Sequence, residues 1–268
     1  DICAEMIQTG GLQPGDVRAV GASGIGPCML PVDADGRPLM NAVLYGVDTR
    51  AAAEIEELTA LIGADTLLAT GGNALTSQSV GPKILWLRRN RPDVFERAAY
   101  FLNSTSFLVR RLTGETVIDH YSAAGFSPLY DIARMDWVDG YDALICGRDR
   151  LARLAWTTEI VGGVTAEAAR RTGLAEGTPV IAGTIDAAAE AVSVGVRRPG
   201  QMMLMYGSTI FGIEVTAEPV QDPRRRGAEQ VVADQGSAGA QHPDGFAEGL
   251  LPVDDVVQHD ERNHRVEA

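Results

Sequence analysis

The chain has 268 residues, and its 36 Asp and Glu residues outnumber its 23 Lys and Arg residues, which gives a formal net charge of −13. With 45% hydrophobic and 22% charged residues, a chain of this length can bury a sizeable core, and its composition argues against disorder over the whole length. The acidic balance argues against a nucleic-acid partner, since phosphate binding needs clustered Lys and Arg, and no apolar run reaches the ~20 residues that cross a bilayer.

The three cysteines, Cys3, Cys28 and Cys146, lie far apart and form no CxxC pair. This spacing predicts neither a disulfide framework nor a cysteine zinc site, and it fits a reducing, cytoplasmic location. The histidines near the C-terminus have no HxxxH or HExxH spacing either, so the sequence predicts no metal-binding residues.

The N-terminal part begins with a short helical stretch that Gly10 and Gly11 end. Residues 17–48 predict a β-meander that includes a tight turn at 33–36, because its Asp-Gly sequence tolerates positive φ. The three strands of this meander are expected at 17–22, 28–32 and 42–45. Helical periodicity then starts near Thr49.

Residues 82–173 are predicted to be mainly helical. Pro82 and Pro92 suit first helical positions, and either Ser104 or Thr105 is expected to cap a helix that Gly114 ends. Four further elements are predicted: a helix at 165–172, a buried strand at 179–183, a helix at 187–194 and apolar strands at 201–206 and 210–215. Strands that alternate with helices indicate an α/β fold.

Three local patterns are candidates for chemistry, and each has a plainer interpretation. Asp186 follows a buried strand, where it could accept a proton from a substrate hydroxyl or simply cap the next helix. Asp48 and Arg50 could hold a polyol, or could be a helix cap and a solvated first-turn residue. The Gly-Ser-Thr turn at 207–209 could wrap phosphate oxygens, or could be an ordinary hairpin.

An ordered series of segments between about residues 15 and 216 resembles the FGGY family of carbohydrate kinases, the group of xylulose, ribulose, gluconate and glycerol kinases. The segments are Val20-Gly21-Ala22-Ser23-Gly24, Leu44-Tyr45-Gly46-Val47-Asp48-Thr49-Arg50, Lys83-Ile84-Leu85-Trp86-Leu87, the spaced set Gly114, Asp119, Ala123 and Asp136-Trp137, then Gly183-Thr184-Ile185-Asp186 and Gly207-Ser208-Thr209. They are similar to the family's substrate loop, its W-x-D-x-R and K-φ-x-W-φ segments, its G…D…A…W spacing, its G-x-x-D segment and its phosphate turn.

The resemblance implies two actin-like, RNase H-like domains that close over a cleft, with this chain as the incomplete first domain. It implies that Asp186 is the general base for transfer of the γ-phosphoryl group of ATP, with Mg²⁺, to a sugar or polyol hydroxyl. By the same resemblance, the sugar-binding residues are Ser23, Gly24, Gly26, Asp48, Arg50 and Gln78, and the phosphate-binding residues are Gly207, Ser208 and Thr209.

The resemblance also divides the chain. Residues 1–200 are expected to be the sugar-binding domain without its first strands, 201–220 the start of the nucleotide domain, and 221–268 a disordered tail from outside the family. No D-x-G-T-T/S phosphate hairpin is found, so we expect a chain truncated at both ends, from a shifted reading frame or a gene fragment. Such a chain would have little or no turnover, and the alternative function is an inactive, sugar-binding remnant. An unpaired sheet edge would favour aggregation or a homodimer.

Overall fold

The computed structural model describes residues 2–206, 210–217, 229–231 and 256–258. Within these ranges the α-helices are α1 (Ile2–Thr9), α2 (Ala52–Ile62), α3 (Ala64–Gly71), α4 (Val80–Asn90), α5 (Pro92–Arg97), α6 (Ser104–Thr113), α7 (His120–Ala124), α8 (Ala166–Thr172) and α9 (Asp186–Ser193). None of the helices in the described ranges combines the length and the apolar character needed to cross a membrane.

The strands of the described ranges alternate with these helices, as the predicted α/β class requires. They are β1 (Ser23–Gly24), β2 (Leu30–Val32), β3 (Tyr100–Leu102), β4 (Val117–Asp119), β5 (Tyr130–Asp131), β6 (Asp136–Trp137), β7 (Arg153–Ala155), β8 (Ile160–Gly163), β9 (Pro179–Ile181), β10 (Thr184–Ile185), β11 (Met202–Tyr206), β12 (Ile210–Val215), β13 (Glu229–Val231) and β14 (Val256–Gln258). Short 3-10 turns occur at Pro14–Asp16 and Arg148–Arg150.

The largest hydrophobic core lies among α2, α3, α4, α5 and the strands β2 and β3. Helix α4 forms its centre, because Val80, Ile84 and Leu87 recur at the spacing of one helix face and are fully buried. Burial of each such side chain contributes roughly 1.5–3 kcal/mol. The helix starts at Val80, so Pro82 lies in the first turn, where its missing N–H breaks no helical hydrogen bond.

Two smaller cores lie on the other elements. One joins α6 and α8 to β4, β8 and β9, and Val109, Val117 and Val180 are among its buried members. The other packs α9 against β11 and β12, with Met203 and Ile213 buried between them. Helix α9 therefore rests on a core of its own, while its N-terminus meets the end of β10.

Two parallel strand pairs join distant parts of the chain. Strand β1 pairs with β10 in the register Ser23↔Thr184 and Gly24↔Ile185, and β4 pairs with β7. A parallel bridge between Val20 and Val180 continues the first pair toward β9. Strands β2–β3, β5–β6 and β8–β9 are antiparallel pairs, and the last sheet has the order β11-β12-β14-β13.

The predicted β-meander over residues 17–48 holds only in its second half. Its first strand finds its partners about 160 residues further along the chain, whereas its second and third strands meet in the antiparallel bridge Met29↔Val43, with a further antiparallel bridge, Val32↔Pro38, nearer the turn. The tight turn is present, with Gly36 at φ +78° and its N–H donating to the Asp33 carbonyl at 2.9 Å. The local turn was therefore predicted correctly, but the backbone of the first predicted strand pairs with a distant part of the chain.

The prediction of a mainly helical segment at 82–173 holds to residue 124 and again at α8, but not between them. Strands β5 to β8 follow, and the short β5–β6 hairpin brings Tyr130 edge-on against Trp137, with ring centroids 5.6 Å apart. Aromatic pairs across so short a hairpin stabilise it by packing against the core, which a local hydrophobic period does not reveal.

The predicted tail, residues 221–268, lies mostly outside the described residues. Its described pieces are β13 and β14, which pair with each other and, through β14, with β12. Those two short strands were not predicted from the composition of the tail. The domain boundaries at residues 200 and 220 stay predictions.

Gly183 separates β9 from β10 with φ at +70°, and a Cβ there would collide with the carbonyl oxygen of Ala22. We expect Gly183→Ala to lower the free energy of unfolding by at least about 2 kcal/mol more than Gly177→Ala does, as measured by urea denaturation. Gly177 is the matched control, because its φ is +81° but nothing lies within 4 Å of the added Cβ. The Gly177→Ala substitution should lower the free energy of unfolding only by the backbone strain of a positive φ, about 1–2 kcal/mol. Equal losses would contradict a close approach at Gly183.

Candidate functional site

The carboxyl ends of β1 and β10 form one edge of a two-stranded parallel ladder, and the candidate site is built on it. Ile25 and Gly26 follow β1, and Asp186 follows β10. A Cβ on Gly26 would collide with the side chain of Ile185, so only glycine lets the two segments approach this closely. The predicted loop residues Ser23, Gly24 and Gly26 therefore lie beside the residue that precedes Asp186.

Asp186 is half-buried at the first position of α9. Its Oδ1 accepts a hydrogen bond from the N–H of Ala187 at 2.8 Å, and within the described residues Oδ2 accepts none. The cap position itself belongs to Ile185, whose side chain has no hydrogen-bonding atom. The carboxylate is thus held by one oxygen and leaves the other for a further partner.

Asp48 and Arg50 form the second half of the site and are bound to each other. The Nε and Nη2 atoms of Arg50 donate to the two Asp48 oxygens at 2.7–3.0 Å, and the side chains are 15% and 34% exposed. The hydrogen bonds from Arg50 hold the pKa of Asp48 below its usual range, and the positive charge of Lys83 adds to this effect. Within the described part of the chain, Nη1 of Arg50 makes no hydrogen bond.

Helix α4 holds this second half in place through two residues one turn apart. Lys83 is 1% exposed, and its Nζ donates to the carbonyl oxygen of Leu44 at 2.7 Å, just before the Asp48 segment. Trp86 lies under the guanidinium of Arg50, with 4.8 Å between Arg50 Cζ and the ring centroid, which is the geometry of a cation–π contact. The lysine and tryptophan of the K-φ-x-W-φ segment thus have separate structural roles.

Gln78 adjoins the same segment from the loop that precedes α4. Gly46 has φ at +30°, and a Cβ on it would lie 3.1 Å from Gln78 Nε2, so backbone and amide are in close contact. The Gln78 Oε1 atom is buried and has no hydrogen-bond partner in the described part of the chain. An unpaired buried amide oxygen is costly, and a bound hydroxyl group would satisfy it.

The buried thiol of Cys28 lies beside the loop that follows β1, where its Sγ donates to the carbonyl oxygen of Ile25 at 3.4 Å. Burial raises the pKa of Cys28, hydrogen bonding with Ser104 and the positive charge of Lys83 oppose that rise, and the negative charge of Asp186 adds to it.

The N-terminus of α6 supports the edge from behind. The Ser104 hydroxyl donates to the Ile25 carbonyl, and the Thr105 hydroxyl donates to the Thr184 carbonyl at 2.9 Å. Neither residue is the cap that the sequence predicted. Asn103 caps α6, since it has an extended backbone and its Oδ1 accepts from the Ser106 N–H at 2.7 Å, which frees both hydroxyls to reach the site strands.

A buried carboxylate lies behind β10. Asp119 is 1% exposed, and its Oδ2 accepts from the Thr184 hydroxyl at 2.8 Å and from the Ser122 N–H at 3.3 Å, which caps α7. Burial raises the pKa of Asp119 to about 6 despite these hydrogen bonds. Its other oxygen has no partner in the described residues.

The structure thus brings the predicted residues into two groups. Asp186 lies beside the loop of Ser23, Gly24 and Gly26, and the second group gathers the remaining described ones, Asp48, Arg50 and Gln78. The predicted phosphate-binding residues Gly207, Ser208 and Thr209 lie outside the described residues. Among the described residues, no group of three or more His, Cys, Asp or Glu side chains could hold a metal ion.

The sequence assigned no role in the site itself to several residues that support it: Lys83, Ser104, Thr105, Asp119 and Thr184. For Lys83 a signal existed, because it is the only lysine among 23 basic Lys and Arg residues and lies on an apolar helix face. Asp119 directly precedes a helix, and Asp is one of the favoured N-cap residues. The three hydroxyl residues carry no local pattern that separates them from surface residues.

A cavity of about 500 Å³ lies elsewhere, beside β3, β6 and β7. Tyr100, Trp137 and Arg148 line it, and none of the predicted site residues does. The Arg148 guanidinium is already paired with Asp136 at 2.6 Å. The cavity is therefore separate from the strand edge that carries Asp186.

The comparisons with known proteins agree on one family. The model of the FGGY family of carbohydrate kinases, N-terminal domain, matches residues 1–193. The chain is 35% identical over 195 residues to the xylulose kinase of Escherichia coli, and this match spans 72% of the chain and 39% of that kinase. It is 30% identical over 210 residues to the autoinducer-2 kinase of Yersinia enterocolitica, over 77% of the chain and 39% of that kinase.

Among solved structures, the xylulose kinase from Rhodospirillum rubrum matches with a TM-score of 0.81 and 28% identity, over 96% of this chain and 48% of that one. The chain therefore spans between about two fifths and one half of the length of these relatives. The predicted fold class is confirmed: the chain is an α/β domain of the actin-like, RNase H-like type, corresponding to the N-terminal domain of such a kinase.

The burial of the Asp119 carboxyl predicts how the free energy of unfolding changes with pH. Because its pKa is about 6 in the folded protein and ~3.9 in an unfolded chain, the folded state holds the proton more tightly, and stability falls as pH rises from 4 to 7. Relative to Asp119→Asn, we expect the wild-type free energy of unfolding to fall by about 2 kcal/mol over that range, as measured by urea denaturation.

Asp93→Asn is the control for this experiment. The pKa of Asp93 is lowered by its hydrogen bonds from Arg91, so this exposed carboxylate gives no loss of stability with rising pH. Parallel pH profiles for wild type and Asp119→Asn would contradict the buried, unfavourably ionised state of Asp119.

Proposed function

The chain belongs to the FGGY family of carbohydrate kinases, and from that membership we propose that it carries the sugar-binding half of an ATP-dependent kinase. Its reaction would transfer the γ-phosphoryl group of ATP to a hydroxyl group of a sugar or polyol. The observation that supports this most directly is the parallel register of β1 with β10, which sets the loop of Ser23 and Gly24 against Asp186.

In this proposal Asp186 is the general base. One carboxylate oxygen is anchored to the Ala187 N–H at 2.8 Å, and the other has no partner within the described residues. The free oxygen would accept the proton of the sugar hydroxyl as that hydroxyl attacks phosphorus, and proton removal makes the oxygen a better nucleophile. A positioned base of this kind typically contributes ~10²–10⁴ in rate.

The sugar would lie between the two halves of the site. Asp48 can accept hydrogen bonds from sugar hydroxyls, and the free Nη1 of Arg50 can donate them, in a geometry that their mutual ion pair already fixes. The Oε1 atom of Gln78, which has no partner among the described residues, would accept a hydrogen bond from a further sugar hydroxyl. The backbone of Gly24 and Gly26, with the Ser23 hydroxyl, would form the facing wall.

We assign the phosphates of ATP to Gly207, Ser208 and Thr209 on the family resemblance. By the same resemblance, Mg²⁺ would neutralise the charge of these phosphates when ATP is bound. A cytoplasmic location, the absence of nucleic-acid partners and a homodimer stay predictions.

A second candidate is a sugar-binding module without phosphoryl transfer. The observation in its favour is that the groups available for sugar hydroxyls, the Asp48–Arg50 ion pair and the buried Oε1 of Gln78, lie within the described residues. Both candidates require sugar binding at Asp48 and Arg50, and only the kinase requires ADP release.

We expect Arg50→Ala to weaken sugar binding by about 10-fold or more, since hydrogen bonds to a charged group contribute roughly 1.5–3 kcal/mol. Isothermal calorimetry with D-xylulose, D-ribulose, D-gluconate and glycerol measures this. Arg37→Ala is the control, because Arg37 is 71% exposed and pairs with Asp35 away from the site. Equal affinities in the two variants would remove the sugar assignment of Arg50.

Asp186→Asn should leave the affinity for the same sugars within a few-fold of wild type and lower ADP release by ~10²–10⁴, because only proton transfer is lost. A coupled ADP-release assay measures the rate. Glu190→Gln, one turn further along α9, is the control and should keep the wild-type rate. Sugar binding without ADP release by the wild type would favour the binding module, and full activity in Asp186→Asn would exclude this base.

A further inference from the structure

We propose that Asp119 and Thr184 act as a positioning pair that orients the carboxylate of Asp186 through the end of β10. This proposal rests on the proposed role of Asp186 as the base. Neither residue touches the reacting atoms, so both act through the backbone that leads into α9.

Thr184 is fixed from two sides. Its hydroxyl donates to Asp119 Oδ2 at 2.8 Å, and its carbonyl oxygen accepts from the Thr105 hydroxyl at 2.9 Å. Only Ile185 stands between Thr184 and Asp186, and Ile185 is itself packed against Gly26. The peptide planes that lead to Asp186 therefore have little freedom to rotate.

Capping α7 does not by itself explain the carboxylate at position 119. Asn caps helices about as well as Asp does, and its side-chain oxygen could accept from both Ser122 N–H and Thr184. A neutral amide would also avoid the cost of burying a charge at a residue that is 1% exposed. What the charge adds is a stronger hydrogen bond to the Thr184 hydroxyl, since charge-assisted bonds are about twice as strong as neutral ones.

The Asp119 carboxylate ties three elements together behind the site. It ends β4, caps α7 and holds β10, and β4 itself is paired with β7. Helix α6 holds the neighbouring points, because Ser104 binds the Ile25 carbonyl and Thr105 binds Thr184. Asp186 is thus set by a rigid framework of strands and helix starts, as precise positioning of a reacting group requires.

The amide of Ala187 reports on this directly, because its N–H is bonded to Asp186 Oδ1. Hydrogen exchange in the ¹⁵N-labelled whole chain is measured for wild type, Thr184→Val and Thr184→Ser. Valine has the shape of threonine but no hydroxyl, so we expect about tenfold faster exchange at Ala187 in that variant. Serine restores the hydroxyl and should restore wild-type protection.

Two controls separate positioning from general stability. Thr178→Val makes the same chemical change at another buried threonine, whose hydroxyl donates to the Ala175 carbonyl at 2.8 Å, and should leave Ala187 unchanged. The amides of Gly114 and Gly173, which end α6 and α8, should keep their protection in every variant. Unchanged exchange at Ala187 in Thr184→Val, or equally faster exchange at all these amides, would overturn the proposal.

Hydrogen exchange needs neither sugar nor ATP, so its outcome is independent of the proposed function. A chain that releases no ADP but follows the expected exchange pattern would count against the kinase and not against the positioning pair. Where ADP release is measurable, Thr184→Val should lower kcat at least tenfold with KM within twofold, because the ground-state sugar contacts lie on other elements.

Discussion

The close parallel approach of β1 and β10 is the constraint on which the rest of the site depends. The two strands are only two residues long, yet they join parts of the chain that are about 160 residues apart. Such an approach requires glycine at two points, at Gly183 against the Ala22 carbonyl and at Gly26 against Ile185. Every proposed contact between the substrate loop and Asp186 follows from that edge.

Both hydrophobic packing and polar contacts hold the elements around this strand edge in place. Helix α4 contributes one apolar face to the largest core and, from the same helix, the buried ammonium of Lys83 to the Leu44 carbonyl. Helices α6 and α7 contribute their N-termini, where hydroxyl and carboxylate groups reach the carbonyl and hydroxyl groups of β1 and β10. Burying these polar groups is tolerable because most of them are paired.

The sequence predicted elements well where start and stop signals are local. Helix α8 lies within the predicted range 165–172, with Thr165 as its cap and Gly173 after its end, and β12 matches 210–215. Secondary-structure prediction failed for residues 17–22 and 130–163, because the strands there are defined by partners far away in the chain or by aromatic packing.

The site residues were likewise predictable where the signal is local and not where it depends on distant contacts. The position of Asp186 after a buried strand could be predicted from local pattern and family motif. Its support by Thr184 and Asp119 could not, since a hydroxyl that meets a carboxylate 65 positions away leaves no spacing to recognise.

The burial of Lys83 has a practical consequence, because it is the sole lysine of the chain. Acylating reagents that modify lysine side chains can reach its amine only when α4 separates from the Leu44 segment. The rate at which such a label accumulates at this one position therefore records how often that half of the domain opens, and a ligand that bridges α4 to the segment would slow it.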